Sequence, residues 1–542
     1  MKNLFIRKSI EQLHRELEGD NRLRRVLGPI QLTSLGIGCV IGAGIFVVTG
    51  QAAHDKAGPA IMLSFVVAGL ACVFAALCYA EFASMVPVAG SAYTYAYATL
   101  GELAAWIIGW DLLLEYTIAS SAVAHGWSQY FQEFLGTFLP RLPLAVAKTP
   151  FDYDPGLGRF VATGAVLDLP AILVTAALTV ILVRGIKESA SVNTAMVIVK
   201  LAVVLFVIAV GAFYVDPANW HPFAPFGYSG FSLFGKTLLG QTGAGGEPLG
   251  MLAGSAIIFF AYIGFDSVST HAEEARNPRR DVPIGILASL LLCTVLYIAV
   301  AAVLTGMIPY GQINIDAPVA AAFQQKGLPW AHFIIAIGAV VGITSVLMVL
   351  MLSQPRVMLA MARDGLVSSR IFGAVHPRFR TPWISQILMG CFVATLSGLL
   401  PLRVLAELVN IGTLLAFFVV CAAVLILRRT HPNAQRPFRV RWAPVVAVLG
   451  MGSSLLLMCS LPKENWWRLF IWLLIGFVIY FLYGRRHSRL RVALQKPPLP
   501  GEECVDDHSA ARKPGIAWRN RLLHGFVASE LNDHALGPSS LA

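Results

Sequence analysis

The sequence predicts an all-α polytopic membrane protein. It has twelve transmembrane helices, ten of them forming two inverted repeats of five, with the first helix of each repeat broken. Three observations predict this. The chain of 542 residues is 56% hydrophobic and only 13% charged, a balance outside the range of soluble domains. Its apolar residues gather into twelve stretches, most of them near the 20 or so residues that cross a bilayer as a helix. Glycines interrupt two of those stretches, the first and the sixth, five spans apart.

Residues 1–29 carry Lys2, Arg7, Lys8, Arg15, Arg22, Arg24 and Arg25 and read as a cytoplasmic N-terminal arm of amphipathic character. The apolar run follows directly without a signal-peptide pattern, so the first span is expected to be retained as an anchor. The apolar stretches run over 30–52, 61–86, 99–135, 166–184, 192–214, 248–271, 283–306, 331–362, 383–400, 403–428, 442–461 and 466–484. The third and eighth are long enough to tilt or to protrude. Loops on the side of both termini hold 30 of the 41 Lys and Arg residues and loops on the other side hold 9, with Lys200 and Arg356 inside spans. That asymmetry places both termini in the cytoplasm. It also accounts for the net charge of +11 without nucleic acid.

The first span contains Gly36-Ile37-Gly38-Cys39-Val40-Ile41-Gly42-Ala43-Gly44-Ile45-Phe46. Each glycine disfavours a helix by about 1 kcal/mol relative to alanine, so a helix is expected to stop near Val40 and restart near Ala43. The freed amides and carbonyls need partners within the bilayer. A restarted helix offers N–H groups and a positive dipole end to an anion, and an arrested one offers carbonyls to a cation. A zwitterion uses both; close packing of small residues is the plainer reading. The sixth span repeats the device in Phe260-Ala261-Tyr262-Ile263-Gly264-Phe265-Asp266, with unwinding expected at 262–265. An odd spacing of five spans inverts the second set relative to the first, the arrangement in which paired broken helices cross near the midplane. The first repeat is therefore 30–214 and the second 248–428. Spans 11 and 12 occupy 442–484. The polar tail 485–542 is expected to be largely disordered, with a short helical pattern at 522–531.

Several functions are excluded by what is missing. Of eight cysteines, only Cys504 lies outside an apolar segment, and there is no CxxC or Cys/His ligand spacing. No disulfide framework, metal site or cofactor is therefore expected. His125 and His271 read as satisfied polar residues. HExxH and GxSxG patterns are absent, which argues against a membrane enzyme, and an ATP-driven pump is not expected. Lys200 stands within Val197-Ile198-Val199-Lys200-Leu201-Ala202. An ionisable group at that depth is a functional candidate, able to gain and lose a proton in a cycle or to serve as a fixed structural cation. Glu115 is a second intramembrane charge.

From Arg24-Arg25-Val26-Leu27-Gly28 and the glycine-rich stretch onward, the sequence resembles the cationic amino acid transporters of the amino acid–polyamine–organocation superfamily, in their twelve-span bacterial form. The resemblance runs through Tyr79-Ala80-Glu81-Phe82, Pro87-Val88-Ala89-Gly90-Ser91-Ala92-Tyr93, Gly109-Trp110-Asp111-Leu112-Leu113-Leu114-Glu115-Tyr116 and Glu273-Glu274-Ala275-Arg276-Asn277-Pro278. It covers residues 22–430. It implies the LeuT/APC-type fold and a secondary permease of the inner membrane, monomeric as a functional unit. Proton-coupled import of cationic or small neutral α-amino acids is the first reading, and an arginine/lysine uniporter or exchanger the alternative. An amino-acid sensor signalling through the tail belongs to another class. By resemblance, the substrate carboxylate meets the amides of Gly42, Ala43 and Gly44, and its amino group meets carbonyls of Val40, Phe260, Ala261 and Ile263. Ala43 replaces the Ser or Thr of many relatives, which removes a hydroxyl but no amide. Phe260 serves as an aromatic wall or as ordinary packing. Lys200 occupies the place between helices 1 and 8 where related folds bind sodium. Glu115 relays a proton, holds a cationic substrate side chain, or is satisfied by freed amides. Asp266 and Glu81 brace the sixth-span break and the end of the second span. Arg356 belongs to a cytoplasmic gate.

Overall fold

The first span begins where Pro29 occupies the first helical turn, a position that needs no N–H donor. Helix α1 runs Pro29–Val40 and ends there: Ile41 leaves the helical region at ψ 101°. The chain restarts as a π-helical turn, Gly44–Val48, and continues through residue 57. The computed structural model describes residues 6–8, 27–86, 91–140, 142–154, 159–184, 189–234, 236–243, 246–379 and 381–495. Most of the N-terminal arm, the motif residues Pro87-Val88-Ala89-Gly90 and the pattern at 522–531 lie outside them.

Helix α2 (Ile61–Met85), α3 (Ser91–Thr99) and α4 (Glu102–Gly136) follow, then α5 (Leu169–Arg184) and α6 (Ser189–Gly211). The second broken span is α7 (Met251–Ile258), a 3-10 turn Phe259–Tyr262, and α8 (Ser267–Thr270). After it come α9 (Pro278–Met307), α10 (Pro318–Gln325), α11 (Pro329–Arg363), α12 (Trp383–Leu399), α13 (Leu402–Thr430), α14 (Ala443–Cys459) and α15 (Lys463–Ile479). Pro278, Pro318 and Pro329 each open a helix. Among the described residues, eight helical segments are long and apolar enough to cross a membrane, and four shorter apolar helices accompany them. Large apolar side chains stand exposed on the outer helices: Leu173, Ile198, Leu205, Leu291, Val295 and Leu474. Such a belt belongs against acyl chains rather than water.

One expectation is adjusted. Three antiparallel β-hairpins interrupt the all-α pattern, one pairing Phe151–Asp154 with Arg159–Ala162 and two formed within 231–249. The aromatic and β-branched residues of the first, Phe151, Tyr153, Phe160 and Val161, favour extended pairing. Within 485–542 the described residues reach Gln495. A helix, α16, spans Arg489–Gln495, and Arg491 Nε donates to Glu102 Oε1 at 2.6 Å. The described residues up to Ala493 form one compact unit.

α4 lies at the centre, packed against α11 and α13, while α9 packs on α1 and α2. One end of the bundle is tied by polar contacts. Lys8 Nζ lies 3.0 Å from Asp364 Oδ1, and Tyr93 OH donates to Asp364 Oδ2 at 2.6 Å. Leu27 N donates to Glu274 O and Arg276 N to Leu27 O, fixing the start of α1 to the chain leaving α8. Arg356 Nη2 reaches Glu274 Oε1 at 3.5 Å. Buried Glu102 receives Arg491, Tyr480 OH and Ser488 Oγ. Glu81, also buried, accepts a two-point contact from Arg428 at 2.9 and 2.6 Å and the amide of Val440. Breaking such a buried, bidentate pair is costly. Glu81→Gln is therefore expected to lower unfolding stability by on the order of 3 kcal/mol, read as a reduced melting temperature of the purified protein.

At the opposite end a cavity of about 770 Å³ opens, lined by Val48, Asp55, His125, Asp168, Ile257 and Arg403 among others. Val48 and Ile257 place its floor next to the two interrupted helices.

Candidate functional site

The two interruptions meet backbone to backbone. A Cβ placed on Gly44 would sit 2.4 Å from the Cα of Ala261 and 2.6 Å from its Cβ. Only glycine permits that approach. A Cβ on Gly42 would sit 2.7 Å from Cγ2 of Val346, and Gly126 of α4 lies under the methyl of Ala43. On the other strand of the crossing, Ile263 is extended (ψ 135°) and Gly264 takes φ +112°, a region open to glycine at no steric cost. Gly264 faces Cys39. The interruption in the first helix is short, confined to Ile41 and Gly42. The second starts earlier than residue 262, because the 3-10 turn already begins at Phe259.

The freed groups have identifiable partners. Lys200 of α6, fully buried, donates from Nζ to Gly38 O at 2.6 Å, Ile41 O at 3.0 Å and Ser345 Oγ of α11 at 2.8 Å. Ser345 passes its own proton to Gly342 O at 2.9 Å. Three acceptors around one nitrogen match the three N–H donors of an ammonium. Tyr130 OH donates to Phe46 O at 2.7 Å, and Thr49 Oγ1 to Gly44 O at 3.0 Å. Tyr297 OH of α9 lies 2.7 Å from Val40 O and 3.0 Å from Ala261 O. Phe260 O accepts the amide of Ile263 at 3.3 Å. At the restart, the amides of Gly42, Ala43 and Gly44 open a helical segment, where N–H groups have no intrahelical acceptor. An anion is the natural partner there.

Glu115 stands elsewhere. It shares a face of α4 with Asp111, one turn away, as i and i+4 spacing requires. Both are buried, and neither carboxyl has a hydrogen-bond partner among the described residues. Thr413, beside Glu115, directs its hydroxyl to Val409 O. Asp266 accepts from Tyr116 OH at 3.1 Å through Oδ2, with Oδ1 unpartnered. Lys200 and Glu115 therefore do not touch: one closes the first interruption and the other belongs to an uncompensated carboxyl group cluster. His125 lies 2.9 Å from Asp168 Oδ2, a partner that sequence spacing did not reveal. Among the described residues, no three His, Cys, Asp or Glu gather as a metal-binding set.

Tyr297, Ser345 and Tyr130 escaped the sequence reading. No local pattern separates their hydroxyls from those of neighbouring residues. Only the crossing of α9, α11 and α4 over the interruptions gives them partners.

A family model described as amino acid permease matches residues 27–487. The chain is 48% identical over 489 residues to the branched-chain amino acid permease BcaP of Bacillus subtilis, covering 90% of this chain and 99% of that one. It is 45% identical over 490 residues to the methylthioribose transporter of the same organism, covering 90% of this chain and 100% of that one. The vacuolar cationic amino acid transporter 4 of Arabidopsis thaliana is 39% identical over 435 residues, 80% of this chain and 68% of the relative.

Proposed function

This chain belongs to the amino acid permease family, and on that premise we propose that it is a secondary transporter that imports an α-amino acid together with protons. It is a multi-pass membrane transporter of amino acids and not an enzyme. The finer reading has twelve spans, the repeats 30–214 and 248–428 in inverted orientation, both termini in the cytoplasm, and a monomer as the working unit in the inner membrane. The charge asymmetry of the loops supports the orientation. In this orientation the tied end of the bundle faces the cytoplasm and the 770 Å³ cavity faces outward.

The observation that carries the reading is the three-acceptor cage of Lys200. It joins the interrupted first helix to α11 by a titratable group with no other charge in contact. An ammonium fills all three acceptors. A neutral amine has two N–H donors and leaves one acceptor without a partner. Proton binding and the fit of α1 against α11 are thereby linked. Glu115, with Asp111 and Asp266 nearby, is the second proton-bearing position. The substrate carboxylate is read by the amides of Gly42, Ala43 and Gly44, its amino group by the carbonyls of Val40, Phe260, Ala261 and Ile263, and Phe260 walls the site.

Backbone groups read only what α-amino acids share, so the side-chain class must be found by trial. Branched-chain and cationic amino acids are the first candidates, since the relatives are named for them. Methylthioribose belongs in the same panel as a cargo without the zwitterion. Purified protein in liposomes should accumulate a labelled amino acid when the outside is acidified, with no requirement for sodium. Accumulation indifferent to the proton gradient would leave facilitated diffusion or exchange as the function.

A further inference from the structure

The carbonyls assigned to the substrate's amino group are not idle in this structure. Val40 O belongs to the first interrupted helix and Ala261 O to the second, and the hydroxyl of Tyr297 lies within hydrogen-bond distance of both. A phenol has one proton, so it serves one of these carbonyls at a time. The ring cannot swing away freely. It is fully buried and packed between Phe65 and Tyr262, with centroids at 5.4 and 5.6 Å. Tyr262 is itself anchored through its hydroxyl to Phe65 O at 2.8 Å. The Tyr297 hydroxyl is thus held at the seam between the two interruptions.

We propose that Tyr297 is a resident surrogate for the substrate ammonium, donating to the same two carbonyls and giving way when the ammonium arrives. The proposal rests on the reading above that the interruptions bind an α-amino acid. An ammonium carries three N–H donors and can serve Val40 O and Ala261 O together, which the phenol cannot. Binding therefore replaces one shared proton by two simultaneous hydrogen bonds and releases the tyrosine. Tyr297 is a positioning residue: it acts on the carbonyls, not on the cargo. It keeps α1 and the 3-10 turn at Phe259–Tyr262 in register when no ammonium does so.

The sign of the effect separates this role from an ordinary contact. If Tyr297 hydrogen-bonded the substrate, Tyr297→Phe would weaken binding. As a surrogate, its loss leaves the two carbonyls short of a donor until substrate arrives, and binding tightens. The expected gain is several-fold, up to about tenfold for one buried hydrogen bond. The experiment measures binding of the labelled amino acid that the wild type takes up, by scintillation proximity on purified protein. Net uptake and homo-exchange are measured in liposomes alongside. Tyr297→Phe should bind more tightly, retain exchange, and lose net uptake, because only net uptake returns the carrier without an ammonium at the seam. Unchanged or weaker binding, or equal loss of both transport modes, overturns the proposal. Should Tyr297→Phe fail to fold, Tyr297→3-fluorotyrosine keeps the shape with a stronger donor and should weaken binding; no change there overturns it equally. A wild type that binds none of the twenty amino acids overturns the functional reading, and this proposal with it.

Discussion

Gly44→Val is expected to abolish amino acid binding, with the protein still inserted and folded. At this position the Cβ of any residue would meet the Cα of Ala261 at 2.4 Å. That neighbour is backbone, which cannot turn aside as a flexible side-chain end can. Overpacking of a tight interior costs about 1–3 kcal/mol, and valine adds two further methyl groups on the line where the restarted segment approaches the 3-10 turn. The strain can be relieved only by parting the two interrupted helices, which displaces the amides and carbonyls on opposite sides of the seam. Binding by direct titration is the measurement, with Ala43→Ser as the control. Serine adds one hydroxyl without removing an amide, and its binding should stay within a few-fold of wild type. Full affinity in Gly44→Val, with normal elution and melting behaviour, would move the site away from this crossing.

Lys200→Met is the second large effect. Methionine keeps the length and apolar stem of lysine but carries no proton. Gly38 O and Ile41 O then lose their donor, and each buried carbonyl so abandoned costs roughly 1–3 kcal/mol. The variant is expected to lose proton-driven accumulation, while some binding or exchange persists because the amides of 42–44 are untouched. The direction follows from the cage. The arrangement described here fits the ammonium, so a proton must be present to form it and must leave when α1 withdraws from α11. Uptake should therefore rise with an inward proton gradient in the wild type and be flat in Lys200→Met. A variant that still concentrates substrate under that gradient would reduce Lys200 to a fixed cation.

The features legible in the sequence were those written in composition and local pattern. Glycines at 36, 38, 42 and 44 announced an interruption, because no helix tolerates such density cheaply. Gly264 and Asp266 announced the second. Lys200 was conspicuous because nothing around it is polar. What could not be read depends on elements that meet only in space. Tyr297 lies 257 residues from Val40, and Ser345 lies 145 from Lys200; a hydroxyl in an apolar helix looks the same whether it caps its own turn or a distant carbonyl. Glu115 was conspicuous as an intramembrane charge, whereas Asp111, one turn away, was not singled out, and only packing against α13 shows the two buried together. The segment 489–495 was hidden for another reason. It is too short to stand out as a helix in the sequence, and its docking depends on a single buried glutamate at the start of α4.

That glutamate sets a schedule for biogenesis. Glu102 is made early, yet its arginine partner is 389 positions later in the chain, and Tyr480 and Ser488 come scarcely sooner. At about 5–20 residues per second of synthesis, the carboxylate waits roughly 20–80 s for its counter-charge. Until then the start of α4 cannot be sealed at low cost, and it must stay near water or near the translocation machinery. The segment 489–495 thus acts as a completion signal. A ribosome that stalls after α15 leaves behind a bundle with α1–α15 present but an uncompensated charge buried at one end, the kind of defect that membrane quality control can detect and remove.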